Sequence, residues 1–220
     1  AIIPEFVDPE FTYITLDVGV IYDPKQTTFA KGQIENAAKD SVNEYFDTSL
    51  NKLNKSFYNT RLHDLIKDSS DSIISVNINS KLQKRIVPDL AKPKNYTVKF
   101  NQRLQPGEVT STYFDITSSN VTQQVQLKDI AGAGVSAPKY SGTGVVNAVK
   151  PDGTIIAEVG TIDYDSGTIN LPSVTINALA GTEKSLRIGA GLQNDNKDIT
   201  TQALIRTSDT STAAVVAKPS

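Results

Sequence analysis

The sequence predicts an α+β protein: a strand-helix-helix-strand unit over residues 1–90, followed by an antiparallel all-β meander region over residues 91–220. Three observations carry that expectation. Phe11 to Tyr22 alternates apolar and other residues at period 2, Ile34, Ala38, Val42 and Phe46 recur every four residues, and after Lys92-Pro93 the chain becomes a series of short β-rich runs.

In the stretch FTYITLDVGVIY, Ile14, Leu16, Val18, Val20 and Tyr22 share one face of a long half-buried strand, which Asp23-Pro24 ends. The four-residue spacing that follows describes an amphipathic helix lying on a sheet, its stripe widened by Tyr45 toward Leu50 and Leu53. NTRLHDLIKD reads as a short second helix, with Asn59 or Thr60 as N-cap and Leu62, Leu65 and Ile66 on one face. Ser69-Ser70-Asp71 breaks it. In SIISVNINSKLQKRIVP, Ile74, Val76 and Ile78 then alternate along a second strand that Pro88 closes.

YTVKF, VTSTYFDI, VTQQVQL, TGVVNAV, TIIAEV and TIDYD make up the β-rich region. Lys150-Pro151-Asp152-Gly153 is a turn, and a meander is expected from about Thr143 to Leu171. In VGTIDYDSGTINLP the apolar groups stay on one face if Tyr164 pairs with Ile169 and Ile162 with Leu171, leaving Ser166-Gly167 as a two-residue loop. Asp163 and Asp165 then lie on the wet face with Thr168 and Asn170. A reacting pair of carboxylates needs environments that push their pKa values apart, and this one offers none.

A chain of 220 residues buries roughly 70% of its unfolded surface, enough for a real core. Lys+Arg 22 against Asp+Glu 24 gives a net charge of −2, with no sign concentrated in either half, which argues against nucleic acid. The absence of cysteine removes disulfides, thiolate zinc sites and cysteine nucleophiles. No apolar run approaches the ~20 residues that span a bilayer, and no signal peptide or membrane partner is expected. The chain starts at Ala1 and holds no methionine, so it reads as a piece of a longer protein.

The remaining constellations favour bland readings. His63 is the only histidine and falls off the face defined by Leu62 and Leu65, which suits a solvated side chain rather than a member of a triad. Asn194-Asp195-Asn196-Lys197-Asp198 lacks the glycine and glutamate of a calcium loop. The glycines of Ile130 to Gly144 match no phosphate-binding spacing, so a connecting loop is expected there. Phe57-Tyr58 is expected to plug the core at the corner between the helices. Catalytic, cofactor-binding and metal-binding residues are therefore expected to be none, and the chain is expected not to be an enzyme.

Three stretches carry a resemblance: FVDPEFTYITLDVGVIYDP, SFYNTRLHDLIKDSSDSIISVNI and VGTIDYDSGTINLP. In that order they resemble the C-terminal portion of the baseplate wedge protein of T-even-like contractile-tailed phages, within the broader baseplate J-like family. The resemblance implies a structural subunit of the virion, assembled in the host cytoplasm, whose copies join in a ring around the hub. Its implied partners are itself, as dimer or ring, and other baseplate wedge or hub proteins. The alternative is a cell-surface or carbohydrate-binding module, which would show an exposed aromatic groove. Strands such as YTVKF and VTQQVQL are expected to offer open edges for partners, and Ala213 to Ala217 an apolar strand fit to dock on a neighbour.

Overall fold

The computed structural model describes residues 11–135, 141–193, 198–200, 204–207 and 214–219. In chain order its first elements are β1 (Phe11–Tyr22), α1 (Lys31–Tyr45) running into a π-helical turn (Phe46–Leu50), β2 (Ser56–Phe57), α2 (Asn59–Lys67), β3 (Ile73–Ile86) and β4 (Pro93–Lys99). Then come β5 (Thr110–Ser111), β6 (Phe114–Ser118), β7 (Val121–Ala131), β8 (Thr143–Val149), β9 (Ile155–Asp163) and β10 (Thr168–Thr175). The last are β11 (Ala178–Leu179), β12 (Leu186–Gly191), β13 (Ile199–Thr200), β14 (Leu204–Thr207) and β15 (Ala214–Pro219). The chain is mostly β, with two α-helices among the described residues.

Two compact units divide it: Ala1–Asn79 with Asp198–Ser220, and Ser80–Lys197. The division expected near residue 90 falls earlier, inside β3, because the outer half of that strand pairs with β12 from Leu186 to Gly191. The C-terminal residues also group with the first unit rather than with the β-rich region, since they return to β1.

In the first unit, β1 keeps its alternation, with Ile14, Leu16, Val18, Val20 and Tyr22 all buried. In α1, Ile34, Ala38 and Val42, one turn apart along the helix, are buried as well. Past Tyr45 the helix widens into the π turn, and Tyr45, Phe46 and Leu50 are all buried. Leu53 falls beyond that turn and is 60% exposed, so the stripe stops at Leu50.

Phe57 packs with Tyr45 and Phe46 at ring-centroid distances of 5.9 and 6.1 Å, whereas Tyr58 is 49% exposed. The pair thus splits where extended backbone runs from β2 into Tyr58, so the neighbouring side chains point to opposite faces. In α2, Leu62 and Ile66 are buried one turn apart, and Leu65, expected beside them, is 40% exposed. Neither Asn59 nor Thr60 caps the helix. The N-cap is Tyr58, and the Asn59 amide donates instead to the Asp198 carboxylate at 2.8 Å, a partner 139 residues away. In β3 the buried set is Ile73, Val76 and Ile78, with Ile74 and Ser75 both exposed, so the expected alternation slips by one residue at the strand's start.

The C-terminal strands meet β1 in parallel: Phe11–Ile14 pairs with Leu204–Thr207, and Asp17–Tyr22 with Ala214–Pro219. The apolar segment expected to dock on a neighbour thus docks on its own chain. On the side facing β1 its backbone groups are satisfied by a strand edge that would otherwise stay open.

In the second unit, β7, β8, β9, β10 and β4 lie in that order, each antiparallel to the next. The meander expected from Thr143 to Leu171 is present as β8 to β10. Gly153, at φ +90, closes the turn before β9 by donating to the Lys150 carbonyl at 2.9 Å. Val121–Val125 pair with β6 on one side, and β8 joins on the other only from Gln126 onward, so among the described residues the start of VTQQVQL keeps one edge without a strand partner, as expected. Leu82, Leu104, Phe114, Leu127, Ile162 and Ile188 are among the fully buried residues of this unit.

The β9–β10 hairpin adopts a register two residues away from the expected one. Asp163 pairs with Thr168 and Ile162 with Ile169, which leaves a four-residue loop, Tyr164 to Gly167. A slip of two preserves every side chain's face, so Ile162, Ile169 and Leu171 remain buried. Asp163 decides the loop length. Its Oδ1 accepts the amides of Asp165 at 3.0 Å and Ser166 at 3.3 Å, closing a turn that a two-residue loop has no room for.

Candidate interaction surfaces

Asp163 and Asp165 are both committed to the loop. Burial works against the charge of Asp163, but hydrogen bonds from Ser166 and the Asp165 amide outweigh it and hold its carboxyl below the usual range. Asp165 accepts the Gly142 amide at 2.9 Å and lies 3.7 Å from the Arg103 guanidinium. Both carboxylates hold backbone in place. His63 is partly exposed on α2, its Nδ1 3.2 Å from Asp64 Oδ1. The residues 194–197 of the calcium-like stretch, and 136–140 of the glycine-rich stretch, lie outside the described residues. Asp198 of the former caps α2.

Among the described residues no three of His, Asp and Glu cluster closely enough to hold a metal ion. No helix there is long and apolar enough to cross a membrane, which leaves the β-strands unaddressed.

Two features escaped the sequence reading, and a third was expected from it. The first is Asp129, a carboxylate in the core, which accepts the amides of Gly107 at 2.6 Å and Val109 at 2.9 Å and the Tyr164 hydroxyl at 2.8 Å. Its sequence signal was slight: Asp129 lies at an inward position of a strand whose other inward residues, Val125 and Leu127, are apolar. The second is a polar depression of about 460 Å³ in the first unit, lined by Lys52, Lys55 and Arg61 together with Tyr45 and Tyr58. Arg61 stands 5.7 Å over the Tyr45 ring. Loop residues brought to one wall by a π turn leave no periodic trace.

The third is the edge of β4, the outermost strand of its unit, which has no strand partner among the described residues. Phe100 donates to the Gly167 carbonyl at 2.8 Å, so in an antiparallel ladder Val98 and Tyr96 also face β10. The main-chain groups of Thr97 and Lys99 therefore point outward, as expected for YTVKF.

The hairpin carboxylates Asp163 and Asp165 are thus used for backbone support. Residues 10–85 match the family described as Baseplate structural protein gp6, C-terminal domain III, a phage baseplate wedge protein. The match runs from β1 into β3 and includes both helices, so the resemblance read from the first two quoted stretches is present. The family is a structural protein of the phage tail baseplate, part of the virion. No curated protein matches the chain.

Proposed function

We propose that the chain is a scaffold subunit of a phage tail baseplate, placed in the wedge or inner ring around the hub and working through contacts with its baseplate neighbours. The match of residues 10–85 to a baseplate structural family carries this reading. The strand-helix-helix-strand part is then the α+β module held in common with that family, and the β-rich region supplies further contact surface. The open edge of β4 supports the reading, because Thr97 and Lys99 present main-chain groups that a partner strand would satisfy. On this reading the chain works without catalysis, cofactor or metal, and its partners are proteins rather than nucleic acid or membrane. Assembly takes place in the host cytoplasm.

The test is co-sedimentation of the chain with its tail co-proteins, wild type against Thr97→Pro. Proline removes an outward donor and leaves the ladder to β10 intact. The expected result is a complex with at least one baseplate neighbour, weakened by the substitution while the melting temperature stays close to wild type. A strict monomer that joins none of the tail proteins would overturn the scaffold reading.

A further inference from the structure

The depression of about 460 Å³ near the start of α2 gathers three cations, Lys52, Lys55 and Arg61, and among the described residues no carboxylate lines it. None of the three forms an ion pair there. Two carboxylates stand nearby and are engaged elsewhere: Asp198 accepts the Asn59 amide at 2.8 Å, and Asp64, three residues along α2 from Arg61, has its Oδ1 3.2 Å from His63 Nδ1. Arg61 also stands in the first turn of α2, where the helix carries positive partial charge and has no acidic residue of its own. Like charges held together without a counter-ion repel, so an anion placed among them is attracted by all three.

Buried Tyr45 fixes this wall. Its hydroxyl accepts the Tyr58 amide at 3.0 Å, and the Arg61 guanidinium lies 5.7 Å from its ring centroid. Asn54, at φ +57, turns the chain between the two lysines. A guanidinium already held in place loses less freedom when it takes an anion. The rest of the lining is hydroxyl and amide rather than aliphatic: Ser49, Ser56 and Asn54 accompany the exposed ring of Tyr58. A nucleobase needs apolar walls on both faces. A sugar needs one aromatic face for its C–H groups and polar partners for its hydroxyls, which is what this lining offers.

We propose that the depression binds a phosphorylated sugar, with the phosphate among Lys52, Lys55 and Arg61 and the sugar ring against Tyr58. Lysine holds phosphate oxygens as a point charge and arginine holds them through its planar fork, so the three together suit a dianion. Free phosphate presents the same oxygens but has nothing to lay on Tyr58, and this difference separates the two ligands. The site goes beyond the scaffold reading and stands without it, since a small ligand requires no neighbouring protein.

The experiment is an NMR titration of the chain at roughly 0.05 M salt, where screening is modest. Glucose 1-phosphate, glucose and inorganic phosphate are the probes, followed at the backbone amides of Lys55, Tyr58 and Arg61. Glucose 1-phosphate should bind about tenfold or more tightly than inorganic phosphate, and glucose alone should leave the amides unmoved. Lys52→Gln/Lys55→Gln/Arg61→Gln should weaken both phosphates by about tenfold or more. Tyr58→Ala, which keeps the main chain, should lower glucose 1-phosphate to the affinity of inorganic phosphate and leave inorganic phosphate unchanged. Should the triple variant fail to fold by circular dichroism, Lys52→Gln/Lys55→Gln takes its place and should also weaken both phosphates. No binding of glucose 1-phosphate, binding that survives removal of the cations, or equal affinities for glucose 1-phosphate and inorganic phosphate would each overturn the proposal.

Discussion

The Tyr164 hydroxyl donates a 2.8 Å hydrogen bond to Asp129 Oδ2 inside the core of the second unit. The same carboxylate holds the amides of Gly107 and Val109, so one side chain on β7 fixes both the loop before β5 and the turn after β9. The Tyr164 carbonyl in turn accepts the Leu104 amide at 2.9 Å. Three segments distant in sequence therefore share one polar cluster.

Removing the carboxylate should cost more than removing the hydroxyl. Asp129→Ala leaves the buried Val109 amide and the buried Tyr164 hydroxyl without partners and frees the exposed Gly107 amide to water, and is expected to destabilise by about 2–4 kcal/mol, against about 1–2 for Tyr164→Phe. Urea unfolding of both single variants and of the double variant gives the two costs and their coupling. A loss under 1 kcal/mol for Asp129→Ala would show that the cluster carries little stability.

Alkaline pH should loosen the same cluster. Burial first, then the hydrogen bond and charge of Asp129, raises the pKa of Tyr164 above the ordinary tyrosine value of about 10. Past that pH the unfolded chain releases its tyrosine proton while the folded chain keeps it. The unfolded state then binds fewer protons, so stability falls as pH rises, and below about pH 10 the contribution is complete. Tyr164→Phe should have the flatter stability profile above about pH 10. Some slope remains, because burial also raises the pKa of Tyr45. Urea midpoints from pH 8 to 11 compare the two proteins, and parallel profiles would remove Tyr164 as the cause.

Glycine substitutions should separate space from backbone. At Gly167, φ is +66 and a Cβ would overlap the Gln102 carbonyl, while at Gly153 φ is +90 and a Cβ meets nothing within 4 Å. Gly167→Ala is expected to cost about 3 kcal/mol or more and Gly153→Ala about 1. Asp163→Asn keeps the Oδ1 acceptor of the turn and should stay within about 1 kcal/mol of wild type. Thermal melts rank the three, and equal losses at the two glycines would contradict the close approach of Gln102.

The long-range cap on α2 gives a fourth expectation. Asp198→Ala should destabilise by about 1 kcal/mol, the usual cost of losing an N-cap acceptor, and Asp198→Asn by less, since it keeps a side-chain oxygen. Hydrogen exchange should report it first at the amide of Asn59. Unchanged exchange there would mean that water replaces the carboxylate without loss.

Periodicity made much of the first unit legible. The alternation of β1 and the four-residue spacing of α1 are written in residues 11–46, since each element shows one apolar face to the core and side-chain direction repeats with the backbone. Where the elements end was less legible. Leu53, Leu65 and Ile74 are apolar residues at or beyond an element's edge, and an apolar residue is free to remain at the surface. The basic depression left almost no mark, because Lys52, Lys55 and Arg61 meet through a π turn, whereas the open edge of YTVKF was legible.

What the sequence determined by itself was therefore the kind of each element and the face it buries, including the hairpin's inward set of Ile162, Tyr164, Ile169 and Leu171. Tertiary structure alone decided the burial of Asp129, the cap supplied by Asp198 and the return of Ala214–Pro219 to β1. The faces follow from local backbone geometry, which every residue carries with it. The others depend on hydrogen-bond partners 35 to 139 residues away, or on a strand edge that only the folded chain brings within reach.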